Sequence, residues 1–407
     1  MSRRQTLVGL GIGLAAAGAT TAVGIAADRL ARARRTALAL DSAESEEDGY
    51  DDPADEELVV MADDGVVLHV EVDHSTRGPD DLAERAFAPT VVFSHGYCLS
   101  LRSWVFQRRA LRQAGYRQVL WDQRGHGRSG SGVKDSYHID QLGRDLARVL
   151  AEVVPEGPIV LIGHSMGGMT QMALAVDHHE LIRDRVVGVA FIATSPGGLS
   201  TVSWGLGTVL GRFVKKVGPA AVGTLASRQG LVDTAVRAGR DIQQFFVDRY
   251  SFASPVPMSV VRLAAEMIFA TRMEVISSFM PTFDMHDKRE ALEQFVGVET
   301  LVMNGEEDQL TPPEHSDEIV RLIPGAEHVV VAEAGHLIML EHPDVVTEQL
   351  LGLIRRGTRA ATAGGPVARP RTRRTLTDLA KRRRDHAASV KPAKAARGSR
   401  PSRGRAS

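Results

Sequence analysis

The sequence predicts an α/β fold: a mostly parallel eight-stranded sheet flanked by helices, with a helical cap inserted after the sixth strand. Three observations predict it. Short β-branched runs alternate with stretches of helical spacing from residue 58 onward. The runs at 90–93, 118–121, 159–162 and 186–192 are continuously apolar, as strands are when both faces of a parallel sheet are covered. Between 197 and 283 the rhythm stops, and many apolar residues follow without a convincing strand.

Taken in order, residues 58–62 and 66–72 flank Asp63-Asp64-Gly65, a hairpin signature. Helical patterns at 101–114, 139–154 and 166–176 separate the next four strands. Strands at 299–303 and 328–331 bracket a helix near 314–322, and a last helix runs from about 343 to 355. Such alternation gives a doubly wound sheet with right-handed crossovers. The interval 197–283 is expected to fold over the C-terminal edge of the sheet. Most of its apolar residues, Trp204, Phe245, Phe246, Met258, Met267, Phe269, Met273 and Phe279 among them, suit its own core, and a minority would line a pocket.

The 407 residues are 43% apolar, enough for a sizeable core. A net charge of −1 averages over two opposed blocks. Ten acidic residues and no basic one lie between Asp41 and Glu57, and seventeen Lys/Arg face two acids from Arg355 to the C-terminus. Both blocks read as solvated and unfolded. Cys98 is the only cysteine, which excludes an intrachain disulfide. Residues 6–27 are uncharged and of bilayer-spanning length, but rich in Ala and Gly. Three readings stay open: a signal anchor, a cleaved export signal, or a soluble Ala-rich helix. Ser2-Arg3-Arg4-Gln5-Thr6-Leu7 resembles a twin-arginine signal. The organisation expected is therefore 1–35 as membrane anchor or export signal and 36–57 as an acidic disordered linker. The α/β domain occupies 58–357 with 197–283 as its cap, and 358–407 form a basic disordered tail.

Gly163-His164-Ser165-Met166-Gly167 follows the strand at 159–162 and opens a helix. That strand-to-helix context is what a G-x-S-x-G nucleophile elbow requires, because the tight turn lifts the Ser165 hydroxyl clear of the sheet. A serine needs a histidine to take its proton, and the histidine needs a carboxylate to hold its tautomer. His336 ends the last strand in Ala334-Gly335-His336, and Asp308 follows the strand at 299–303. Glu306 and Glu307 compete with Asp308 for the acidic role. His95-Gly96-Tyr97 ends the strand at 90–93 beside the elbow. Tyr97 and Met166 would offer backbone N–H groups to an oxyanion, and the His95 side chain would only brace the loop. Cys98 reads as a small buried residue. Asp122 and Arg124 in the turn at 122–129 read as structural supports that tie loops together. No histidine/carboxylate cluster has ligand spacing, so neither metal nor cofactor is expected.

On these blocks the chain resembles the α/β-hydrolase superfamily, in its branch with a helical lid. The resemblance rests on HGYC at 95–98, DQRGHGRS at 122–129, GHSMGG at 163–168, GEED at 305–308 and GH at 335–336. It implies Ser165, Asp308 and His336 as nucleophile, acid and base, with oxyanion donors at Tyr97 and Met166. Ser165 in place of an aspartate speaks against epoxide hydrolases and haloalkane dehalogenases. The implied activity is hydrolysis of carboxylic esters, with hydrophobic or lipid-like acyl groups favoured by the apolar cap. A perhydrolase, a carbon–carbon bond hydrolase, a thioesterase or an acyltransferase would use the same triad. A non-catalytic, membrane-anchored binding protein is the alternative of another class. Partners expected are a small-molecule or lipid ester, a membrane through residues 6–27, and an anionic polymer or lipid for the basic tail.

Overall fold

The computed structural model describes residues 49–76, 88–199, 251–362 and 373–376. Nine strands form one sheet among them: β1 Glu56–Met61, β2 Val67–Asp73, β3 Thr90–Ser94, β4 Gln118–Trp121, β5 Ile159–His164, β6 Val186–Ile192, β7 Glu299–Gly305, β8 Glu327–Val331 and β9 Arg373–Leu376. The order is β1-β2-β4-β3-β5-β6-β7-β8-β9. β1 and β2 pair antiparallel, as does β2 with β4, and every other pairing is parallel.

Helices wrap both faces: α1 Val105–Gln113, α2 Ile139–Val153, α3 Met166–Asp177, α4 His179–Arg185, α7 Pro313–Leu322, α8 Ile338–Glu341 and α9 Pro343–Thr362, with α5 Met258–Ala270 and α6 Met273–Met285 in the inserted segment. Strand alternation sorts the core. Val91 and Phe93 pack with Trp104 and Ile162 on one face, and Val92 packs with Trp121 and Leu161 on the other. This explains the continuous apolar runs, since neither face of the central strands meets water.

Three expectations are corrected. The sheet has a ninth strand, where Arg373–Leu376 pairs in parallel with β8 and buries Leu376. Its arginines hid it, because a short charged segment makes a good edge strand but reads as solvated tail. Arg374 reaches Glu327 and Gln349. The last helix likewise continues to Thr362, past the expected boundary at 357. The acidic block is also not wholly unstructured. Asp51 pairs with Arg102 at 2.6 Å, Asp52 with Arg109 at 2.6 Å, and Asp55 with Arg112, so residues 49–55 lie as a strap along the first helical stretch. Tyr50 donates to Ser259 Oγ at 2.8 Å on the inserted segment. Cap residues 200–250, the anchor or signal at 1–35, and most of the tail lie outside the described residues. Among those described, no helix is long and apolar enough to cross a membrane.

Buried charge fixes the loops. The Arg124 guanidinium, without exposure, grips Asp145 at 2.6 and 2.7 Å and Asp64 at 2.7 and 3.0 Å. Arg108 holds Asp73 at 2.7 and 2.8 Å and Glu71 at 2.5 Å. Removing one partner of such a pair strands the other in low dielectric, which costs about 3–5 kcal/mol. Arg124→Leu should therefore lower unfolding free energy by about that amount in denaturant titrations, because Asp145 has no exposed surface. A loss below about 1 kcal/mol would show that Asp145 finds water instead.

Candidate active site

Ser165 sits between β5 and α3 with φ 51° and ψ −117°, a left-handed backbone that side chains rarely adopt. The neighbouring glycines are required by space. A Cβ on Gly163 would meet Gly167 O at 2.6 Å, and one on Gly167 would overlap the Ser94 carbonyl. The turn is held at its own backbone. Ser165 N–H donates to Ile192 O at 2.9 Å, and Thr194 Oγ1 donates to Ser165 O at 2.7 Å. Thr194, at the end of the neighbouring strand, carried no signal in the sequence.

Asp308 and His336 meet. His336 Nδ1–H donates to Asp308 Oδ2 at 2.8 Å, which leaves Nε2 as the acceptor nitrogen. The carboxylate is fully engaged: Oδ1 accepts from Leu310 N at 2.8 Å and Thr311 N at 3.0 Å, and Oδ2 also accepts from Thr311 Oγ1 at 2.8 Å. Burial alone would raise the Asp308 pKa, but the His336 ring and the Thr311 bonds outweigh it and hold it below the ordinary value. Glu306 and Glu307 are exposed and use only their main chain here, bonding Val331 O and Ala334 O. The third position after Gly305 thus reaches inward while the first two point to solvent.

The Ser165 hydroxyl and the His336 ring form no hydrogen bond with each other in this conformation. They are brought near through His164, whose Nε2–H donates to His336 O at 3.0 Å and whose ring lies 4.8 Å from the His336 ring. Catalytic contacts of this kind commonly tighten only when substrate is bound. The loop before His336 is set by Glu341, which sequence reasoning missed. Its carboxylate accepts from Gly335 N at 2.7 Å, Ala253 N at 2.9 Å and Ser254 Oγ at 2.8 Å. The residue lies in an otherwise apolar turn, and an acid there is the one signal that could have marked it.

Tyr97 and Met166 flank the elbow, in the β3 loop and at the start of α3. Among the described residues, neither backbone N–H donates to a protein carbonyl. For Met166 that is the ordinary state of a first-turn helix amide. His95 braces the same loop. Its Nε2 accepts from Gln123 N at 2.9 Å, and its Nδ1–H donates to Gly96 O at 2.7 Å. Gln123 completes the brace, donating through Nε2 to His95 O at 2.6 Å and accepting from Thr170 of α3 at 2.6 Å. Asp122 accepts from Leu101 N and Arg128 N, both at 2.8 Å, so it ties two loops. Cys98 is buried with φ 59°, and burial pushes its thiol up to about 12, well away from a nucleophile's range. At the elbow Met166 packs in a buried apolar cluster with Tyr97, Tyr137, Val275, Phe279 and Phe283, the last three from α6.

Comparisons with known proteins bear on this arrangement. A family model described as the alpha/beta hydrolase fold matches residues 89–343. The sn-1-specific diacylglycerol lipase ABHD11 of Mus musculus is 27% identical over 280 residues, 65% of this chain and 82% of that protein. A non-heme haloperoxidase of Rhodococcus erythropolis is 28% identical, over 65% of this chain and 91% of its own. Among solved structures, an esterase from Exiguobacterium antarcticum superposes with a TM-score of 0.57 at 19% identity, covering 74% of this chain and all of that one.

The buried histidines give the fold a pH dependence of definite sign. Burial holds His126 near about 4, His164 near about 3 and His286 near about 4, and His95 well below its ordinary value. Released by unfolding, each would take a proton below about 6.5, so the stability they confer is present above that pH and is lost as pH falls towards their folded values. Asp122 opposes this: burial raises it to about 6, so its contribution fades as pH rises through that value. Burial also raises Asp145 and Glu341 and lowers His138 and His315, so six lowered imidazoles stand against three raised carboxylates. Thermal unfolding should show a steady Tm from about pH 7.5 to 6.5 and a progressive fall from there towards about pH 4.5. A Tm that rises on acidification from about 7 to 5 would contradict the assignment of these rings as neutral.

Proposed function

This chain belongs to the α/β-hydrolase fold family, and on that premise we propose that it cleaves carboxylic esters, of hydrophobic or lipid-like acyl groups, through a covalent acyl-enzyme on Ser165. The observation that carries the proposal is the His336–Asp308 pair of 2.8 Å, beside a serine held at φ 51° on a strand-to-helix turn. In this reading Ser165 Oγ attacks the ester carbonyl while His336 Nε2 takes its proton. Asp308 holds Nδ1–H and stabilises the imidazolium. The N–H groups of Tyr97 and Met166 receive the developing oxyanion, and His336 then returns its proton to the departing alcohol. Water repeats the sequence to release the acid. The apolar character of α6, whose Val275, Phe279 and Phe283 pack with Met166 beside Ser165, supports a hydrophobic acyl group. The name of one relative, a diacylglycerol lipase, supports ester chemistry at such a site. The uncharged segment 6–27 is long enough to span a bilayer, which supports a tether holding this chemistry near membrane lipid.

A panel of chromogenic acetyl, butyryl and octanoyl esters tests the reading. Ser165→Ala should reduce kcat by several orders of magnitude, roughly a millionfold where a triad serine is lost. Retention of more than about a tenth of the activity would overturn the nucleophile. Each buried methylene contributes about 0.8 kcal/mol, so butyryl should exceed acetyl by about tenfold in kcat/KM. A steep preference for acetate would favour a perhydrolase-like enzyme instead.

The acid is tested separately. Asp308→Asn should cost about ten-thousandfold, because an amide favours the wrong imidazole tautomer. Glu306→Gln and Glu307→Gln should stay within about threefold of the parent, since surface substitutions away from such networks are near neutral. A larger loss at Glu307 would place the acid one residue earlier.

A further inference from the structure

Tyr97 enters the proposed mechanism through its backbone N–H alone, yet its side chain makes the contact that joins the loop after β3 to the inserted segment. The phenol O–H donates to Ile276 O in α6 at 2.5 Å, across 179 residues of chain. Its ring stands edge-on to Phe283 at 5.0 Å and to Phe279 and His126 at 6.0 Å each. Burial lifts the phenol far above its ordinary pKa, so the hydroxyl stays a donor at any working pH.

Helix α6 is unusual at that point. Pro281 lies inside it, has no N–H for the Ser277 carbonyl, and crowds that carbonyl with its ring. The Ser277 carbonyl loses its helical donor, and the adjacent Ile276 carbonyl accepts the Tyr97 hydroxyl. At the other end, the Tyr97 backbone has little slack. Gly96 accepts from Leu99 N at 3.1 Å to close the turn, Cys98 is held at φ 59°, and His95 is clamped by Gln123. A shift of α6 is therefore delivered to the peptide of the same residue whose N–H the proposed mechanism uses.

We propose that Tyr97 is a positioning residue that couples the seating of α6 to the placement of its own backbone N–H, so that the oxyanion site is complete only when α6 lies on the loop. The proposal rests on the esterase reading above. Its consequence is that an acyl group bound against α6 helps seat that helix and assembles the site for its own reaction. Specificity then appears in kcat as well as in KM.

The test uses the full chain with a chromogenic butyryl ester and compares Tyr97→Phe, Pro281→Ala and the double variant with the parent. Phenylalanine keeps the ring packing and removes only the hydroxyl. Loss of a whole oxyanion donor costs roughly a hundredfold or more, and a misplaced one should cost less. The expected result is a fall in kcat of about tenfold for Tyr97→Phe, with KM within about twofold and Tm within a few degrees. Pro281→Ala returns the missing N–H to the Ser277 carbonyl, leaves the Ile276 contact in place and should keep kcat within about twofold. The double variant should behave as Tyr97→Phe alone. The coupling is overturned if Tyr97→Phe keeps full kcat, if it raises KM or lowers Tm with kcat unchanged, or if Pro281→Ala alone lowers kcat as far as Tyr97→Phe does. Ser165→Ala run alongside separates the two claims: a parent no faster than that variant sinks the esterase reading, whereas an active parent with an unaffected Tyr97→Phe sinks only the coupling.

Discussion

Everything at this site depends on one strained turn. Ser165 occupies a backbone region that costs about 1–3 kcal/mol for a side-chain-bearing residue, and such strain persists only where the surroundings over-determine it. Here they do. The β5–α3 junction leaves no room for a Cβ at Gly163 or Gly167, the neighbouring strand fixes Ser165 through Ile192 and Thr194, and Met166 is fully buried behind it. The turn makes Ser165 the residue on which α3 begins. The strand order then decides what else can be nearby. The loops at the C-terminal ends of the parallel strands share that edge, and those after β3, β7 and β8 carry Tyr97, Asp308 and His336.

Polar support is layered outward from that edge. Asp308 exhausts its oxygens on Leu310, Thr311 and His336, so the imidazole has one orientation to adopt. The Glu341 carboxylate does for the His336 loop what Asp308 does for the ring, and it ties that loop to residues 253 and 254 of the inserted segment. His95, Gln123 and Thr170 form a second chain, running from the β3 loop to α3. Each bond is modest in water, but these groups are buried, where an unmet donor or acceptor costs more than a made bond gains.

Much of this was legible in the sequence, and for physical reasons. A glycine two residues either side of a serine, at the end of an apolar run, is a steric statement about one turn, and local sequence holds all of it. Asp308 over its neighbours needed only the twist of a strand end: Glu306 and Glu307 are still paired with Val331 and Ala334, and Asp308 is the first side chain free to turn inward. What stayed hidden depends on partners far away in sequence. The strap at 49–55 looked solvated because its arginines lie at 102, 109 and 112. β9 looked like tail because Arg373-Arg374-Thr375-Leu376 has one apolar residue and borrows its pairing from β8. Glu341 and the Tyr97 hydroxyl acquire their roles only once the inserted segment is folded against the sheet.

The central claim is that Ser165 alone among the serines is activated, by His336 and Asp308, at a turn built to expose it. Labelling of the intact chain with a fluorophosphonate, followed by mass mapping of the modified peptide, reads this without assuming any substrate. The account predicts one phosphonyl group per chain, on Ser165, lost when His336 is replaced by alanine. A label on another residue, or an unreactive chain, would contradict it.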